Sequence, residues 1–179
     1  MTVKFLTVLG LVLASSADVC AGHARQSFRF VTKRGGHAAR VVFKTRPFDP
    51  SAHRITKRKG CPRVDARKAL GTDCNLPRLE ITSFEFFFDG KRVPLPRSLY
   101  QDCYEPPFGN GVGEDIQNYL AVRIGDDLKS VFVFMAGGDA AGSYQILWAL
   151  KPDGNHSRFS GVCSDCGFID FQSSFFKDR

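Results

Sequence analysis

Cys163-Ser-Asp-Cys166 sets two thiols at the spacing used by redox pairs and by half of a zinc site. A redox pair begins a helix in a βαβ setting, which lowers one thiol pKa, and no such setting is legible around it. Zinc would need a second pair at matching spacing, and Cys61 and Cys74 lie too far apart to supply one. The histidines, His23, His37, His53 and His156, fall in turns, loops or the N-terminal stretch without a recognisable base or orienting partner. No GxSxG, HExxH or P-loop pattern occurs. Glu114-Asp115 and Asp126-Asp127 sit in expected turns, where solvated charge explains them, and calcium-loop spacing is absent. These residues imply no catalytic group, no metal and no cofactor. A small secreted hydrolase using His53 or His156 is the third reading.

Binding chemistry is easier to find. Arg54, Lys57, Arg58, Lys59 and Arg63, followed by Arg67 and Lys68, form a basic run that can hold an anionic polymer. Residues 25–78 carry fifteen Lys and Arg against three acids; residues 79–179 carry nine against fourteen. The overall charge of +7 therefore joins a basic front half to an acidic back half. Nucleic acid is disfavoured, because no aromatics interleave the run for base stacking. Anionic glycan or cell envelope is the favoured partner for this segment; a solvated loop is the plainer alternative.

The N-terminus narrows the compartment. Met1–Lys4 is basic, Phe5–Ala14 is apolar, and small residues follow. This is the pattern of a signal peptide over residues 1–21, cleaved after Ala17 or Ala21. The apolar run is too short to span a bilayer, which takes about 20 helical residues, and no other stretch is longer. A secreted or periplasmic location is expected, with no membrane span. In an oxidising compartment Cys61, Cys74, Cys103, Cys163 and Cys166 read as disulfide candidates, with Cys61–Cys74 the expected staple of its loop. The fate of Cys20 depends on the cleavage site.

The elements that must position these residues are strands. Ser27–Lys33 and Ala39–Thr45 alternate apolar and polar residues around Gly35-Gly36, a hairpin signal. Arg78–Phe88 is strongly β-forming, and Asp89-Gly90 returns it into a proline-limited edge at 91–96. Residues 119–124, 128–136, 144–151 and 158–162 read as further strands, with a last one at 168–171. Residues 51–78 show no clean period and read as a long basic loop, with one or two helical turns at 64–70. Seven to nine short strands without a long helix predict an all-β domain over 22–179, a single antiparallel sandwich or barrel whose core is drawn from 17 phenylalanines. Asn155-His-Ser157 is a glycosylation sequon in an exposed turn.

One stretch combines permissive backbone with a core-like strand: Gly137-Gly-Asp-Ala-Ala-Gly-Ser-Tyr-Gln-Ile-Leu-Trp148. Glycines and small side chains permit close approach of a ligand or another backbone; an ordinary hairpin connection would use them too. With Val93-Pro-Leu-Pro96, Tyr100-Gln-Asp102, Met135–Tyr144 and Trp148, the segment from about Val93 to Leu150 resembles secreted β-sandwich proteins related to the periplasmic inhibitor of invertebrate-type lysozyme. The resemblance implies a non-enzymatic protein that inserts its 137–144 loop into a lysozyme cleft. Tyr144 would match that loop's tyrosine, while Ala140 stands where the pattern has serine. Asp139, Gly142, Ser143 and Tyr144 are the implied contact residues.

Overall fold

Phe28 and Phe30 point one way and Arg29 the other, so β1 (Gln26–Arg34) has an apolar inner face. Gly35 and Gly36, with φ of 56° and 83°, turn it into β2 (His37–Pro47), whose inner face carries Ala39, Val41 and Phe43. Phe84, Phe86 and Phe88 repeat the pattern in β6 (Leu79–Phe88), and the Asp89-Gly90 turn leads to the short edge strand β7 (Lys91–Val93). The four pair antiparallel in the order β1-β2-β6-β7. A second antiparallel sheet, ordered β11-β10-β9-β8, is built from β8 (Leu120–Ile124), β9 (Val131–Gly137), β10 (Tyr144–Leu150) and β11 (His156–Val162). The structure is a computed structural model and describes residues 25–108, 119–138 and 142–162.

Trp148 joins the two sheets. Its ring lies 5.0 Å from Phe84 and 6.0 Å from Phe43, and its indole N–H donates to the Leu99 carbonyl at 2.9 Å. A single buried cluster takes inner-face residues from both sheets, among them Phe86, Val131, Met135, Ile146 and Leu150. The expected all-β, sandwich-like fold is therefore present, and its core is as phenylalanine-rich as the alternation implied.

The segment read as a long loop, 51–78, contains a third sheet. β3 (Ile55–Arg58), β4 (Cys61–Val64) and β5 (Arg67–Lys68) form an antiparallel meander inserted between β2 and β6. Its turns, Lys59-Gly60 and Asp65-Ala66, all take positive φ, so they act as tight hairpins without the usual Asn-Gly signal. The helical turns expected at 64–70 are absent: Val64 ends β4 and Arg67 begins β5. Charged residues at half of the strand positions had hidden the period of two. These additions bring the strand count to eleven among the described residues. The strand read at 158–162 begins earlier than expected, at His156, while the strand read at 168–171 and residues 1–21, read as a signal peptide, lie outside the described residues.

Cys61–Cys74 is a disulfide, as the loop reading expected. Cys103, also read as a disulfide candidate, is a free and buried thiol. It sits at an isolated bridge to Leu70, where burial pushes its pKa well above the ordinary value and neighbouring Asp102 adds to the shift. Cys163 and Cys166 lie outside the described residues. Among the described residues no helix is long and apolar enough to cross a membrane.

Candidate functional site

The meander has two faces of opposite character. Thr56, Arg63 and Lys68 pair directly across the three strands, and Arg58 pairs with Cys61 two positions along on the same face. Ile55 and Val64 occupy the other face, which packs on Phe48, Ala69 and Tyr104. Burying that face turns Arg58, Arg63 and Lys68 outward. Arg58, Lys68, Lys57 and Lys59 are exposed; Arg63 is half-buried and donates to the Ala66 carbonyl at 2.9 Å. Arg54 is exposed, and its amide donates to Asp65 Oδ1. Among the described residues, none of Arg54, Lys57, Arg58, Lys59, Arg63 and Lys68 forms an ion pair with a carboxylate.

His53 anchors this sheet to the body of the protein. Its ring stacks on Phe48 at 4.9 Å. Nδ1 lies 2.8 Å from Asp65 Oδ2 in the β4–β5 turn, and Nε2 lies 3.0 Å from Glu80 Oε2 in β6. Each ring nitrogen therefore faces one carboxylate oxygen, one from the sheet and one from the body of the protein. Glu80 also accepts from Arg46 Nε at 2.5 Å. The His53 ring and the Arg54 amide hold the Asp65 carboxyl below the ordinary aspartate range. With both nitrogens engaged and the side chain 4 % exposed, His53 offers no atom to a substrate. His156, expected in a turn, is the exposed first residue of β11, with Nδ1 2.9 Å from the Gly154 carbonyl.

The stretch from Gly137 to Tyr144 explains its own glycines. β10 begins at Tyr144, directly opposite Gly137, and a β-carbon on Gly137 would lie 2.7 Å from the tyrosine Oη. A β-carbon on Gly142 would collide with the Asp73 amide. Gly71, with φ of 93°, would meet the Tyr104 carbonyl at 2.5 Å and the Tyr144 ring at 2.8 Å. Two loops and one ring therefore share a space that admits no side chains. Tyr144 is 1 % exposed, and its hydroxyl has no hydrogen-bond partner; burial pushes its pKa well above the ordinary value. A partner resting on the surface would not reach it. Gly142 and Ser143 are half-buried, and Asp139 lies outside the described residues.

Two clefts flank this packing. One, of about 130 Å³, is lined by the Cys61–Cys74 disulfide, Lys68, Thr72, Asp73 and Gly142. The two stretches singled out by sequence thus meet at a single cleft. The other, of about 260 Å³, runs along Gly71–Asp73 to Asn75, Leu76, Arg78 and Glu105. Glu105 is 7 % exposed, with φ of 47°. Its Oε1 accepts from the amides of Arg78 and Leu79, and its carbonyl accepts from Gly138 N at 2.8 Å. Its Oε2 has no hydrogen bond; Arg78 Nε lies 3.5 Å away. Sequence reasoning passed over Glu105, a lone acid before Pro106-Pro107, because only long-range contacts bury it. Among the described residues no group of three His, Cys, Asp or Glu side chains is placed to hold a metal ion.

No family model, no curated protein and no solved structure matches the chain.

Proposed function

We propose that the protein is an exported, non-enzymatic binding module that holds an anionic polysaccharide on the outward face of the β3–β5 sheet. One observation carries this reading: Arg63 and Lys68 stand directly opposite each other, with Arg58 on the same face and no carboxylate paired to any of them among the described residues. Like charges opposite each other across a sheet repel. A bound polyanion reverses that cost, and strands about 4.8 Å apart present the charges at a spacing a sulfated or carboxylated chain can follow. Lys57 and Lys59 extend the positive edge, and Lys68 carries it to the cleft beside Gly142. The leader pattern and the formed disulfide agree with an oxidising compartment. The alternative, occlusion of a lysozyme cleft by residues 137–144, lacks an exposed tyrosine to insert.

The test is retention on a heparin column. Wild type should elute at clearly higher salt than the triple variant Arg58→Gln, Arg63→Gln, Lys68→Gln, because each removed charge weakens a screened attraction. Lys91→Gln with Lys151→Gln, placed elsewhere, should elute near wild type. Equal elution of the triple variant and wild type, with matching circular dichroism, would end this reading.

A further inference from the structure

We propose that the 260 Å³ cleft between the Gly71–Leu76 loop and Glu105 is a binding site for a primary ammonium group, received by the Glu105 carboxylate. The carboxylate is fixed on one side and unfilled on the other. Two backbone amides hold Oε1, so the side chain cannot turn to solvate Oε2, which is buried without a hydrogen bond. A buried polar atom left unpaired in a native protein calls for an explanation, and a ligand donor is one.

The lining is rich in acceptors. Asn75 Nδ2 is used by the Asp73 carbonyl, which leaves Asn75 Oδ1 to accept. Thr72 Oγ1 gives its proton to the Ala69 carbonyl, which leaves its lone pairs. Asp73 adds an exposed carboxylate at the rim. An ammonium brings three donors and a charge, and charge-assisted bonds to a carboxylate are the strong ones. Leu76, 47 % exposed on the same cleft, offers an apolar wall for the methylene or ring carbon that carries the nitrogen. Arg78 is the resident competitor. Its planar guanidinium group approaches Oε2 only to 3.5 Å on a mostly exposed side chain, where a compact ammonium on a thin stem can come closer.

The backbone supports the same place. Asp73, Cys74 and Glu105 all take positive φ (44°, 61° and 47°), an uncommon state for residues with a β-carbon. All three belong to the loops around this cleft, and the Cys61–Cys74 disulfide holds one of them. Strain kept at one spot by its surroundings is a mark of a preorganised site. None of the residues used here carries the polysaccharide reading, so either can fail alone.

The shared chemistry has two sources, a lysine-type side chain or an amino sugar. The mature, oxidised protein would be titrated with Nα-acetyl-lysine methylamide and with glucosamine, each against its neutral N-acetylated analogue, while backbone amide shifts are followed. At least one amine should move Thr72, Asp73, Leu76 and Glu105 saturably below about 100 mM, the weak end of measurable affinity. Which amine binds identifies the source. Glu105→Gln keeps an oxygen for the two backbone amides and replaces Oε2 with a donor, so the affinity should fall at least about tenfold. Asp73→Asn, at the exposed rim, should weaken binding by a factor of about two to five, and it decides the matter if the Gln variant does not fold. The proposal is overturned if neither amine binds, if the acetylated analogues bind equally, if the shifts fall elsewhere, or if the variants bind like wild type.

Discussion

Tyr144 shows how one buried atom changes the reading of a residue. Its ring fills the space beneath Gly71 and Gly137, while its hydroxyl meets no partner. A buried hydroxyl without a hydrogen bond costs about 1–3 kcal/mol relative to one that is satisfied. Tyr144→Phe should therefore leave stability unchanged or raise it by about 1 kcal/mol. Tyr144→Ala should lower it by about 3–5 kcal/mol, the usual loss for a large aromatic. Urea unfolding measures both, and a loss above about 1 kcal/mol for the Phe variant would mean the hydroxyl is satisfied in solution. Cys103 carries the same lesson in another chemistry. Burial and Asp102 push its pKa up, which makes it a poor nucleophile rather than a reactive thiol.

Among the elements, the connections carry more information than the strands. Gly90 and Gly71 both adopt positive φ, 80° and 93°. A β-carbon on Gly90 meets nothing within 4 Å, so Gly90→Ala should cost only the left-handed backbone term, about 1–2 kcal/mol. Gly71→Ala adds a collision with the Tyr104 carbonyl and the Tyr144 ring, neither of which can yield without moving a strand or the core. Its cost should reach about 3 kcal/mol or more. Thermal unfolding of the pair separates the two contributions, and equal losses would mean the 71–73 loop stands clear of β10. The β3–β5 meander makes the complementary point. Ile55 and Val64 share its inner face, yet the basic residues around them made the segment look like loop.

Across the whole molecule, aspartates pin the turns. Asp127 lies between β8 and β9, where the Ser130 hydroxyl and the amides of Ser130 and Lys129 hold its carboxyl down to about 2. Asp89 in the β6–β7 turn is lowered by the Ala38 amide and His37, Asp153 before β11 by Asn155, and Asp65 by His53. A carboxyl whose folded pKa is depressed contributes stability above its unfolded pKa, near 4, and loses it as pH falls through the folded value. The stability these carboxyls contribute should thus be flat from neutrality to about pH 5 and decline between about pH 4 and pH 2. Asp127→Asn should be less stable than wild type at neutral pH and show a shallower decline. Thermal midpoints measured across that range check it; a variant as steep as wild type would remove Asp127 from the account.

The amino-acid sequence by itself determined the two enclosing sheets, the hairpins at Gly35-Gly36 and Asp89-Gly90, and the Cys61–Cys74 pairing. Side-chain alternation and turn chemistry act over a few residues, and a cysteine pair within one short segment is nearly as local. Only the tertiary structure decided that Tyr144 turns inward, that one face of the basic run is buried, and that Glu105 lines a cleft with Oε2 unfilled. Each of these depends on chain segments far apart in sequence. Gly142 rests on Asp73, Glu105 caps the amides of Arg78 and Leu79, and His53 reaches Glu80. Burial at those places is a property of the partners, and no local pattern of residues records which partners will arrive.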